Sequence, residues 1–157
     1  MSKSQSIHRQ ELLKLLHPIA AFIQTQKMDA DLQYQLESTY PIANPDIQRI
    51  KALCLQGIQE GWIRMYGNDD LRYCNLHRQN KALPIRIDMV NMTGVGPGHT
   101  HISGEANLCF ALEGNPSFDG LLEGWVVKTP SSWHKPTVQF GRMLILYFIP
   151  NGQIAFD

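Results

Sequence analysis

From residue 6 to residue 61 the apolar positions return at helical intervals: Leu12, Leu16, Ile19 and Ile23 fall on one stripe, and Ile47, Ile50, Leu53 and Cys54 on another. This half should be helical, with Pro18 starting, kinking or breaking its first helix. Asn44-Pro45-Asp46 is a second helix start, because Asn caps free N–H groups, Pro suits the first helical position and Asp complements the dipole. Gly57 and Gly61 mark where that helix can stop.

Beyond Gly61 the pattern shortens to runs rich in β-branched and aromatic residues, at 62–66, 71–76, 84–92, 106–112, 124–129, 137–140 and 142–149. In the third run Ile85, Ile87 and Met89 alternate with Arg86 and Asp88, the period of a half-buried strand. Turn signals punctuate the runs: residues 67–70, Gly114-Asn-Pro, Asp119-Gly120 and Pro130-Ser-Ser. Asn151-Gly152 should close a final hairpin with residues 153–156, since this pair tolerates the positive φ angles of a tight turn. Many short strands with regular turns predict a mainly β fold, an antiparallel barrel or sandwich at 62–157, with a helical cap at 1–61 packed on it.

Lysine plus arginine equals aspartate plus glutamate at 14 each, so the basic excess of a nucleic-acid binder is missing and a small-molecule partner is expected. Cys54, Cys74 and Cys109 are odd in number and lack CxxC spacing, which argues against a disulfide framework or a thiolate zinc site and favours a reducing compartment. Cys109 reads as a packed core residue. With no apolar run near the ~20 residues of a membrane span, the expectation is a cytoplasmic protein without membrane attachment. The cap offers surface for a homodimer, the commonest soluble assembly.

The densest chemical signal is Gly94-Val-Gly-Pro-Gly-His99-Thr-His101-Ile-Ser-Gly-Glu105. In extended backbone the imidazoles of His99 and His101 point to one face, and Glu105 can join them after a turn at Gly104. His134 is the only later histidine and follows the strand and turn that end at Pro130. Three imidazoles and a carboxylate suit one divalent ion, such as iron, manganese, zinc or nickel, with positions left open.

These residues resemble the two cupin motifs: glycine, HxH, glutamate and glycine at Gly94, His99, His101, Glu105 and Gly114, then Gly124, Pro130 and His134. Ser132 stands where glycine is usual. The resemblance implies a cupin-type β-barrel, or jelly roll. More specifically, Gly98-His-Thr-His-Ile-Ser-Gly-Glu-Ala-Asn-Leu-Cys-Phe110, Phe118-Asp-Gly120, Gly124-Trp125-Val-Val, His134-Lys-Pro-Thr137 and the run from Leu144 to Gly152 are similar to the 4-hydroxylaminobenzoate lyase family, as is Leu53-Cys-Leu-Gln-Gly-Ile-Gln-Glu-Gly-Trp62.

That family resemblance implies conversion of 4-hydroxylaminobenzoate to 3,4-dihydroxybenzoate and ammonia, a step in nitrobenzoate breakdown. The metal would act as a Lewis acid or present an activated water. Proton transfer would fall to Glu105 if it is not a tight ligand, with Glu113 and Glu123 as weaker candidates. Arg86, then Arg142, would take the carboxylate of a small aromatic acid, because guanidinium pairs bidentately with it. Trp125, Trp133, Phe140 and Tyr147 could wall a flat substrate, with Phe140 better placed in the core. Two other classes fit the same ligands: an Fe(II) cupin dioxygenase acting on an aromatic substrate, and a non-catalytic cupin that binds a small ligand.

Overall fold

The computed structural model describes all 157 residues. Three helices, α1 (Lys3–Gln24), α2 (Ala30–Thr39) and α3 (Pro45–Glu60), precede nine strands. The strands are β1 (Tyr66–Gly67), β2 (Leu71–His77), β3 (Ile85–Val95), β4 (His99–His101), β5 (Glu105–Phe118), β6 (Gly124–Lys128), β7 (Ser132–His134), β8 (Thr137–Pro150) and β9 (Ile154–Phe156).

Side chains cap each helix start. Ser2 and Gln5 form a reciprocal capping box on α1, Asp29 accepts from the Leu32 N–H, and Asn44 accepts from the N–H groups of Asp46 and Ile47. Gly61 ends α3 at φ 83°, a left-handed angle that favours glycine. Helix α1 continues through Pro18. Proline forfeits one hydrogen bond there, but Leu12, Leu16, Ile19 and Ile23 are all buried, and burying that stripe outweighs the lost bond.

The strands form two antiparallel sheets, one of six strands in the order β1-β2-β3-β8-β5-β6 and one of three in the order β7-β4-β9. The result is a jelly-roll arrangement of two facing sheets rather than a closed barrel. Strand β8 is central, flanked by β3 and β5. Its Leu144, Leu146 and Phe148 join the helical stripes, Ile85, Ile87, Met89 and Phe110 in one core. Met143, Ile145, Tyr147 and Ile149 turn the other way, into a smaller core that faces the three-stranded sheet. The molecule is therefore layered as helices, large sheet and small sheet, and the helical segment shares its core with the strands it covers.

The outer edge of β6 is closed by side chains of α2. The Gln33 carboxamide accepts from the Val127 N–H at 2.7 Å and donates to the Trp125 carbonyl, while Glu37 accepts from the Trp125 N–H at 2.6 Å. Two helical residues thus do for β6 what a further strand would do.

Several expectations are corrected. Residues 62–66 are not a strand except at Tyr66, because Trp62 and Ile63 are buried in the helix-side core. The runs 137–140 and 142–149 are one strand, and Gly114-Asn-Pro lies within β5, because both are absorbed by irregular β5–β8 pairing around Gly114 and Gly141. Phe140, expected in the core, adopts φ 65° at this irregularity and is 78% exposed. Asn151 and Gly152 do turn with positive φ, but β9 then pairs with β4 and not with β8.

If the Gln33 contacts close the β6 edge, Gln33→Ala should cost about 1–2 kcal/mol, the usual penalty for stranding a backbone donor and acceptor. Urea unfolding measures this directly.

Candidate metal centre

Strand β4 lies between β7 and β9, with His99 opposite His134 and His101 opposite Ser132. Its two-residue period turns both imidazoles inward, each only 1% exposed, while Thr100 faces out. A turn through Gly104, at φ 82°, brings the chain onto the large sheet, where Glu105 opens β5 on the face opposite those imidazoles. His134, at the end of β7, completes the group. The potential ligand atoms of His99, His101, Glu105 and His134 all lie within 4.8 Å of one another.

What each ring does with its other nitrogen defines the cluster. His101 Nδ1 faces the Ser132 carbonyl and Oγ, both at 2.9 Å. His134 Nδ1 faces Asp119 Oδ2 at 2.6 Å, and His99 Nδ1 faces the Pro97 carbonyl at 3.3 Å. Carbonyl and carboxylate oxygens only accept, so each Nδ1 carries the proton and each Nε2 presents a lone pair inward. The Nε2 atoms of His99 and His134 are 3.1 Å apart, and Glu105 Oε2 is 3.1 Å from His101 Nε2 and 3.7 Å from His99 Nε2. His101 Nε2 and Glu105 Oε1 are buried without a hydrogen-bond partner. Converging lone pairs beside a buried carboxylate repel one another, and a divalent cation relieves all of them together. These residues fit such an ion.

Burial pushes the Glu105 carboxyl up, but the imidazoles of His101 and His99, when they carry a second proton on Nε2, outweigh it and hold the group down at about 2. A cation at the same point, whether those protons or a divalent ion, keeps the carboxylate ionised and suited to be a ligand. Burial also raises Asp119, yet His134, Lys128 Nζ at 2.8 Å and the Thr137 N–H hold it at about 2. His134 is lowered by burial more than Asp119 restores, and His99, lowered by burial, is raised on balance by Glu105. Asn107, fully buried, donates to Glu105 Oε2 at 3.3 Å.

A cavity of about 560 Å³ opens beside the cluster, within the usual size range for small-ligand sites. His99 forms part of its wall, with Val90, Ile154 and Phe156 among the apolar lining and Arg86, Asp88, Asn75 and Tyr147 among the polar groups, the exposed Tyr66 and Tyr73 also lining it. Arg86 donates from Nε to Asp88 Oδ1 at 2.9 Å, and Asn75 donates to the same oxygen at 3.0 Å. Burial drives the Tyr147 phenol well above its ordinary range.

The other expected site residues lie elsewhere. Arg142 donates to Asn91 and to the Asp69 carbonyl, tying down the β1–β2 turn. Trp133 is 53% exposed and donates to the Asp157 carboxylate. Trp125 packs on Phe148 on the helix side of the large sheet. Glu113 is exposed, and exposed Glu123 accepts from the Ala111 N–H. Residue by residue, Asp88, Asn107 and Asp119 escaped the reading of the sequence. Asp88 showed only as the polar member of an alternating strand, and Asp119 only as half of an Asp-Gly turn.

If Asp119 orients His134, Asp119→Asn should weaken binding of a divalent ion about 10–100-fold, the usual cost of losing such a support. Competition against a chelating dye measures it, with circular dichroism to confirm the fold.

Among known proteins, the family model described as PnbB, 4-hydroxylaminobenzoate lyase, matches residues 14–156. The 4-hydroxylaminobenzoate lyase of Pseudomonas putida is 25% identical over 171 aligned positions, covering 95% of this chain and 96% of that protein. The enzyme of the same name from Nocardioides sp. (strain LMS-CY) is 26% identical over 162 positions, covering 94% of each chain. An RmlC-like cupin protein of known structure from Ralstonia eutropha superposes with a TM-score of 0.40 at 12% identity, over 53% of this chain and 57% of its own. No helix is long and apolar enough to cross a membrane. With the family model spanning nearly its whole length, the chain belongs to the 4-hydroxylaminobenzoate lyase family.

Proposed function

We propose that the protein converts 4-hydroxylaminobenzoate and one water to 3,4-dihydroxybenzoate and ammonia in the cavity beside the imidazole cluster. The observation that carries this reading is that His99 belongs both to the cluster and to a cavity wall that also holds Arg86. Family membership and the shared name of the relatives point to the same substrate.

Arg86 uses Nε on Asp88 and keeps its two terminal nitrogens for a ligand, so it can grip the substrate carboxylate end-on. Val90, Ile154 and Phe156 would then lie against the ring and keep bulk water from it. Held this way, the hydroxylamino group, para to the carboxylate, would point away from Arg86 into the space that His99 also lines. When bound by His99, His101, Glu105 and His134, a divalent ion such as iron, manganese, zinc or nickel supplies Lewis acidity toward an oxygen of substrate or water. Asp119 and Ser132 fix the rings that hold it, and Asn107 fixes the carboxylate. The conversion is redox-neutral: the N–O bond is the oxidant for the ring, and no dioxygen is required.

Anaerobic incubation of purified, metal-replete protein with 4-hydroxylaminobenzoate should release one ammonia per 3,4-dihydroxybenzoate formed. Ammonia release that required dioxygen would instead identify an oxygenase, and tight binding without turnover a ligand-binding protein. His101→Ala should lose bound metal and ammonia release together; full activity without metal would overturn the role given to the cluster. Arg86→Ala should raise KM for the aromatic acid about tenfold or more, since hydrogen bonds to charged groups contribute roughly 1.5–3 kcal/mol. Steady-state kinetics would show this, and an unchanged KM would remove Arg86 from the site.

A further inference from the structure

The cavity contains a hydroxyl that the fold does not use. Tyr147 on β8 is paired with Asp88 of β3 on one side and Asn107 of β5 on the other, and Asp88 is paired with Asn75 of β2. A polar row, Asn75, Asp88, Tyr147 and Asn107, therefore crosses four neighbouring strands at one register. The neighbouring row on this face, Val90, Ile145 and Cys109, is apolar. Asp88 is engaged by Arg86 and Asn75, and the Asn107 amide nitrogen donates to Glu105, while Asn107 Oδ1 is buried without a partner. Tyr147 is only 7% exposed, lines the cavity with His99 and Arg86, and its hydroxyl makes no hydrogen bond within the chain. Phenylalanine would pack here equally well, so the hydroxyl is free to meet a ligand in the cavity it lines.

We propose that Tyr147 is a catalytic residue whose phenol donates a proton to the departing hydroxylamine oxygen. This rests on the substrate reading above. The N–O bond breaks with its electron pair going to oxygen, which takes the phenol proton and leaves as water. The ring is left two electrons short and accepts a water at the carbon beside the nitrogen, whose released proton returns to Tyr147. A second water displaces ammonia from the carbon that bore the nitrogen. One water is released and two are consumed, so the sum is one water in and one ammonia out, with no external oxidant or reductant. Glu105 is poorly placed for this task because it is turned into the cluster, with Oε2 3.1 Å from His101 Nε2, whereas Tyr147 faces the substrate space.

Tyr147→Phe keeps the ring that packs 6.5 Å from Phe118 and removes only the hydroxyl. It should lower kcat for ammonia release about 100-fold or more, the range of a lost general acid. Metal content should stay the same, and so should affinity for 4-aminobenzoate, which has the ring and carboxylate but no N–O bond. A folded, metal-loaded variant with kcat within a few-fold of wild type would overturn the proposal, as would an equal loss of affinity for 4-aminobenzoate. If Tyr147→Phe does not fold, 3-fluorotyrosine in place of Tyr147 keeps the hydroxyl with a weaker hold on its proton. The alkaline limb of kcat should then move to lower pH, and an unmoved limb would overturn the role. Wild-type protein that releases no ammonia would instead fail the substrate reading, and this assignment with it.

Discussion

Burying the Glu105 carboxylate among three imidazoles is the interaction around which the two sheets are organised. An ionised carboxylate is tolerated away from water only where positive charge or several donors meet it. Here the large sheet delivers the carboxylate and the small sheet delivers the rings, so neither sheet alone makes the site. Ser132, Asp119 and Pro97 each hold an Nδ1, which leaves three Nε2 lone pairs and the carboxylate aimed at one point. The result is a pocket of negative potential that a divalent ion would neutralise.

The cavity carries the opposite polarity at its other side. Arg86 is half-satisfied by Asp88, which holds the guanidinium stem still while leaving its fork available. An aromatic acid would meet a cation at its carboxylate end, an electrophilic centre at its other end and apolar walls between.

Much of this was legible in the amino-acid order where the signal was local. The HxH spacing placed two rings on one face because strand periodicity is two, and the helical stripes from Leu12 to Ile23 and from Ile47 to Cys54 are all buried. Arg86 could be placed on its strand by the alternation of Ile85, Ile87 and Met89, though no pattern said which face carries the cavity. Asp119 could not be found this way, since a carboxylate in an Asp-Gly turn looks like any turn residue until the fold brings His134 against it. Phe140 misled because hydrophobicity reads as burial, whereas its backbone angle is set by the irregular pairing opposite Gly114. Ser132 looked like a departure from a glycine position, yet its carbonyl and hydroxyl are what orient His101.

The central place of β8 bears on how the chain can assemble. It follows every element of the large sheet in the chain, yet both β3 and β5 depend on it for their inner hydrogen bonds. Its Leu144, Leu146 and Phe148 also complete the core under the helices. Until β8 arrives, Ile85, Ile87 and Met89 have no finished core to enter, and β3 and β5 have open edges. Pairings this distant in sequence close slowly, so folding should wait on the last strand of the large sheet, with strand edges exposed in the interval. Until that strand docks, the inner edges of β3 and β5 would be available to pair with another copy of the chain.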